Sequence, residues 1–153
     1  MLDDSGAFVG LVVYQLPVSC PEAAFLEYFA IVPERRSERW GGRALAALLQ
    51  EIREAAPIAL IVILEVEDPD ECVAGDARRQ AERRIAFYRW HGARLLGGIR
   101  YALHVPGADA PYPMRLAFID IGAAKPASAE DALRAAICLF GDAVTRINGV
   151  PLE

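Results

Sequence analysis

Between Phe25 and Val66 the hydrophobic period changes twice, and this constrains the fold more than any other feature of the chain. Residues Phe25–Val32 (FLEYFAIV) are rich in aromatic and branched side chains and stop at Pro33, as a strand does. The polar, arginine-rich stretch PERRSERWGG follows. From Gly42 onward, Leu45, Leu48, Leu49 and Ile52 recur at i, i+3, i+4 and i+7, the apolar stripe of a helix that ends near Ala55–Ala56, ahead of Pro57. The run IALIVILEVE is then almost continuously apolar, which suits a strand covered on both faces, as in a parallel pair. Strand, helix, strand is a βαβ crossover of right-handed sense, so the fold class is α/β.

The flanking segments add strands. Phe8–Leu16 reads as a strand ahead of this unit. Asp68–Asp76 reads as a loop, and a second helix runs from about Ala77 to His91 with Ala81, Ile85 and Tyr88 on one face. Gly92 suits the left-handed residue that ends it. Arg94–Val105 and Pro113–Ile121 read as two strands joined through PGADAPY. Ser128 and Asp131 form a capping box for a final helix, about Ala129 to Ile147, carrying Leu133, Ile137 and Leu139. Its small Ala residues would permit close approach in a homodimer. The 153 residues show no internal repeat, and a single domain is expected.

Composition excludes several classes. A net charge of −5 argues against a nucleic-acid partner, which needs a basic face. The longest apolar run, Pro57–Leu64, is too short to span a bilayer, and no signal segment opens the chain, so the reading is cytoplasmic with no membrane partner. Fifteen Arg against one Lys, with abundant Ala, hints at a bacterial source. Cys20, Cys72 and Cys138 are odd in number and far apart, which suggests neither a disulfide framework nor metal ligands. His91 and His104 have no ligand partner at suitable spacing, and no metal is expected.

Chemistry concentrates where the arginine-rich loop opens the first helix. The first amides of a helix lack intrahelical partners and carry partial positive charge. Gly41 and Gly42 would let a ligand approach the backbone, so the loop can cradle a pyrophosphate without a Walker-type lysine. Arg78, Arg79, Arg83 and Arg84 form a second basic run, either a solvated helix face or a contact for phosphates.

The segment FLEYFAIVPERRSERWGGRALAALL resembles motif A of the GNAT superfamily, the GCN5-related N-acetyltransferases: strand, P-E, then R/Q-x-x-G-x-G/A opening a helix. Arg36 takes the R/Q position and Gly41 the last G/A, while Arg39 replaces the first glycine; the register Arg39–Gly42–Ala44 also fits but needs a longer loop. RRIAFYRWHGARLL resembles motif B, with Phe87–Tyr88 before Gly92–Ala93, where Ala replaces the usual Phe. The two motifs cover roughly residues 8 to 121.

The resemblance implies an acyl-CoA N-acyltransferase fold, a mixed and mostly antiparallel sheet with helices on both faces. It also implies a split between the strands Phe25–Val32 and Ile58–Val66. Acetyl-CoA is the implied co-substrate, its pantetheine arm on the backbone of Phe29, Ala30 and Ile31. Its pyrophosphate would lie on Arg36, Ser37, Glu38, Arg39, Trp40, Gly41 and Gly42. The implied reaction is direct acetyl transfer to a primary amine of a small molecule, peptide or protein. Tyr88 matches the residue that protonates the departing sulfur; otherwise it is a core aromatic. Glu27 is a candidate base, on one face with Phe29 and Ile31 by strand alternation, with Glu65 and Glu67 as rivals.

Family members carry a strand and two helices ahead of the strand that Phe8–Leu16 resembles, and those helices wall the acceptor pocket. Three accounts fit their absence: a displaced start, a wall supplied by a partner subunit or by the last helix, or a relative that binds acyl-CoA without efficient transfer. A non-catalytic acyl-CoA-binding or assembly module is therefore the alternative to an N-acetyltransferase.

Overall fold

The computed structural model describes residues 1–36, 38–72, 75–103, 107, 110–122 and 126–146. The expected βαβ unit is present as β2 (Ala23–Ile31), α1 (Trp40–Ala55) and β3 (Ile61–Glu67), preceded by β1 (Gly10–Gln15). There follow α2 (Gly75–Trp90), β4 (Ala93–Leu95), β5 (Ile99–Leu103), β6 (Tyr112–Asp120), α3 (Ala129–Phe140) and β7 (Val144–Arg146). The strands form one sheet in the order β1-β2-β3-β6-β5-β7, with β4 also on β6. Every pairing is antiparallel except that of β2 with β3.

Each face of the sheet has its own core. Leu45, Leu48 and Ile52 of α1 pack with Ile85 and Tyr88 of α2 against Leu26, Val62, Leu64 and Val66. Ile52 and Leu45 are fully buried, each contributing about 1.5–3 kcal/mol. On the other face Leu133 and Ala136 of α3 meet Ile61, Ile63, Leu116 and Phe118. β3 lies between the two layers, which is why its sequence is apolar at every position from Ile61 to Leu64.

Four expectations are corrected. The single strand Arg94–Val105 is broken into β4 and β5, because Gly98 takes φ +68° and more residues lie on this strand than on β6 between the two pairings. The last helix stops at Phe140, and the chain turns through Gly141–Ala143 into β7, which pairs with β5; Ile147 lies outside the described residues. Ala132, Ala135 and Ala136 face the sheet and are buried, so these small residues of α3 serve packing within the chain. Cys20 and Cys138 form a disulfide with their Cα atoms 6.0 Å apart, leaving Cys72 free. Spacing could not show this pair, because it joins the β1–β2 connection to α3 across 118 residues.

The capping box at Ser128 is present: its side chain accepts from the Asp131 amide, and Asp131 accepts from the Ser128 amide. Among the described residues no helix is long and apolar enough to cross a membrane, and no group of three His, Cys, Asp or Glu could hold a metal ion. His104 lies outside the described residues.

Candidate functional site

β2 and β3 pair only from Ala23–Ile61 to Leu26–Leu64. Beyond that point β2 continues along β1, and Glu65 to Glu67 continue along β6, so the two parallel strands part. The expected split is there. It opens a groove of about 920 Å³ reaching from Leu26 and Leu64 to the start of α1, a volume that suits a small-molecule ligand. Among the described residues the β3-facing edge of Phe29 to Ile31 has no strand partner, leaving backbone groups for a ligand. The Ile31 carbonyl is the exception, since it accepts from Nε of Arg36 at 3.0 Å.

At the outer end stands the loop before α1. A short turn, Pro33–Arg35, leads out of β2, and α1 begins with no side-chain cap and no acidic residue in its first turn. The amides of that turn are available to an anion. Arg39 has φ +62° and ψ +11°, a left-handed conformation that costs a residue with a Cβ roughly 1–2 kcal/mol. This is the position where the GNAT motif has its first glycine, which supports the register Arg36–Gly41 over the shifted one. Arg36, Arg39, Arg83 and Arg84 make the rim basic despite the chain's negative charge.

The loop's side chains divide the work. Glu38 accepts from Nε1 of Trp40 at 3.0 Å and forms an ion pair with Nε of Arg35, also at 3.0 Å, and the Arg43 guanidinium covers the Trp40 ring at 4.2 Å. Ser37 lies outside the described residues. The glycines have a packing reason besides ligand approach. A Cβ on Gly41 would lie 3.2 Å from the Phe87 ring, and one on Gly42 would lie 2.9 Å from His91. They let α1 close on the end of α2.

Of the second basic run, Arg84 pairs with Glu67, Arg78 with Asp70 and Glu82, and Arg79 with Asp76. Arg83 reaches the groove, and among the described residues it has no carboxylate partner.

At the inner end Tyr88 lines the groove with its ring buried, packed against Phe29 and Phe87 at 6.3 and 5.2 Å. Burial pushes its hydroxyl up to about 12, with a small opposing effect from Arg84 and a small reinforcing one from Glu67. It therefore stays protonated at neutral pH and can donate. Among the described residues its hydroxyl has no partner, consistent with a group that awaits a ligand.

The three carboxylates differ. Val13 pairs with Tyr28 and Tyr14 with Leu26, so Glu27 is the extra residue of a β-bulge. The bulge breaks the alternation that had put Glu27 on one face with Phe29. Glu27 instead accepts from Nε2 of Gln15 at 2.9 Å and is exposed at the groove's rim, while Phe29 stacks on Phe87. Burial pushes the Glu65 carboxyl up; the Tyr101 hydroxyl, which donates to it, pulls it part of the way back, and Glu27 adds to the rise. Burial also opposes ionisation of Glu67, but Arg84 outweighs it and holds that carboxyl below its usual range. Glu65 is thus the best placed of the three to take a proton. Sequence reading missed Tyr101, because its nearness to Glu65 depends on β6 lying between β3 and β5.

A sheet whose two parallel strands part over an uncapped helix start is the architecture of acyl-CoA N-acyltransferases, and solved structures agree. A GNAT-family acetyltransferase from Bacteroides thetaiotaomicron superposes with a TM-score of 0.58 at 25% identity, covering 92% of this chain and 70% of that one. The ribosomal-protein-S18-alanine N-acetyltransferase of Escherichia coli gives 0.55 at 20% identity, over 80% and 68% of the two chains. A GNAT acetyltransferase from Elizabethkingia anophelis, solved with acetyl-CoA bound, gives 0.55 at 12% identity, over 77% and 72%. No protein-family model and no curated protein matches the chain. The chain has the GNAT fold, with the segments that resemble both motifs in the family's order on it.

Proposed function

We propose that the chain is an acetyl-CoA-dependent N-acetyltransferase that moves the acetyl group to a primary amine by direct attack. The observation that carries this reading is that one groove joins three features: the free edge of β2, the basic, uncapped start of α1, and the pair Glu65 and Tyr88. The acyl-CoA would lie with its diphosphate on Arg36 to Gly42 and its pantetheine along Phe29 and Ala30. The thioester would then fall at the inner end.

Attack requires a neutral amine. Glu65 would take the proton of the incoming ammonium. The N–C bond forms as the C–S bond breaks, and the sulfur leaves with the electron pair. A phenol pushed up to about 12 is a weaker acid than an ordinary thiol, so complete proton transfer to the departing thiolate would be uphill. Tyr88 would therefore act as a hydrogen-bond donor to the developing thiolate, and the proton that finally reaches the sulfur would come from the amine.

Arg39 in the motif's glycine position favours a second reading, a module that holds acyl-CoA without turnover. Release of CoA from acetyl-CoA, followed with a thiol reagent across a panel of primary amines, separates the two. The proposed enzyme shows amine-dependent release that Tyr88→Phe slows about 10-fold or more, with binding of acetyl-CoA little changed. Binding without release on any amine favours the module.

A further inference from the structure

We propose that Tyr101 is a positioning residue for Glu65, its core-anchored hydroxyl fixing one carboxylate oxygen so that the other faces the groove. The inference rests on the reading that Glu65 serves as the base.

Tyr101 lies on β5 and reaches Glu65 across β6. Its ring is only 6% exposed and tilts against Phe140 of α3 at 5.0 Å; Phe140 meets Phe25 of β2 edge-on, also at 5.0 Å. Three aromatic rings from three elements thus form a wall below the split. The Tyr101 ring cannot swing away without opening this wall, so its hydroxyl is a fixed point. It donates to Oε1 of Glu65. Oε2 has no hydrogen-bond partner among the described residues, and Glu65 lines the groove. A base that must meet a proton within a fraction of an ångström gains from such an anchor.

The charged and titratable groups near Glu65 are few. β2 brings Glu27 and β3 brings Glu67. α2 brings Arg84, which is turned to Glu67, and Tyr88. β6 brings Arg115, which is turned to Asp68 and Asp70. Tyr101 is the one of these placed to donate directly to Glu65. Burial, and then Glu65 itself, hold the Tyr101 hydroxyl far above its ordinary range, so it remains a donor at any working pH.

The test is Tyr101→Phe, which removes only the hydroxyl. With [13C]carboxyl-labelled glutamate, NMR follows the titration of Glu65, assigned by its loss in Glu65→Gln. The donor favours the ionised form, so its removal should move the Glu65 titration, and with it the acidic limb of kcat/KM, about one pH unit upward. At saturation kcat should fall about 10-fold, with KM for acetyl-CoA unchanged. An unchanged Glu65 titration in Tyr101→Phe overturns the inference. A shifted titration in a protein whose Glu65→Gln variant keeps full activity overturns the base reading, and any catalytic purpose for Tyr101 with it. If Tyr101→Phe fails to fold, Glu65→Ala tests the same bond from its other end by removing the acceptor: a downfield hydroxyl-proton resonance of Tyr101 should vanish. Its persistence overturns the inference.

Discussion

Asp3 and Arg35 meet at 2.7 Å, so a turn near the start of the chain holds the loop that leads into α1. Asp3 also accepts from the hydroxyl and amide of Ser5 and from the Ala7 amide. Arg35 in turn pairs with Glu38. Ser5 first, then Ala7 and finally Arg35 hold the Asp3 carboxyl at about 2, against an ordinary 3.8. Because the folded value is the lower one, the contribution is complete above the ordinary value and is lost as pH falls through about 2. Asp3→Asn should flatten that acidic loss in a thermal-melt series and weaken acetyl-CoA binding several-fold, with kcat unchanged at saturation. Equal affinity in the variant would show that the loop does not depend on this anchor.

Arg39→Gly removes a left-handed residue that bears a Cβ. The relief of roughly 1–2 kcal/mol is partly offset by the freedom glycine adds to the unfolded chain, for a net gain of roughly 0.5–1 kcal/mol in denaturant unfolding. The same change removes a charge from the groove's rim, so acetyl-CoA affinity should become less sensitive to salt. A loss of stability would contradict the geometry at Arg39.

Gly42→Ala places a methyl 2.9 Å from Cε1 of His91, whose ring is backed by Phe87 at 4.7 Å. The variant should lose about 1–3 kcal/mol. The double variant Gly42→Ala, His91→Ala should recover much of it, which a double-mutant cycle measures.

The Cys20–Cys138 disulfide closes a loop with a separation of 118 residues and joins the β1–β2 connection to α3. Unfolded without reductant, the protein should show one reactive thiol, Cys72; with reductant it should show three. Reduction should lower stability by about 2–4 kcal/mol. Three thiols without reductant would contradict the pairing.

The sequence displayed what local periodicity encodes. The stripe Leu45, Leu48, Ile52 marks α1, and Ile61 to Leu64 marks a strand covered on both sides. The split between β2 and β3 was legible only through the motifs, since no local rule says where two strands part. The bulge at Glu27 was hidden, because an extra residue in a strand leaves no mark on composition, and it sets Glu27 at the exposed rim of the groove. Tyr101 and the Cys20–Cys138 pair were out of reach for a similar reason: both contacts depend on strand order and helix placement.

The proposed function requires that the start of α1 hold the diphosphate of an acyl-CoA laid in the β2–β3 split. Calorimetric titration with acetyl-CoA, and with acetyl-pantetheine as the control that lacks the nucleotide and diphosphate, tests this most directly. The account predicts that acetyl-CoA binds and that the control binds at least about 10-fold more weakly, a difference of about 1.4 kcal/mol or more. Equal binding of the two, or no binding of acetyl-CoA, would contradict it.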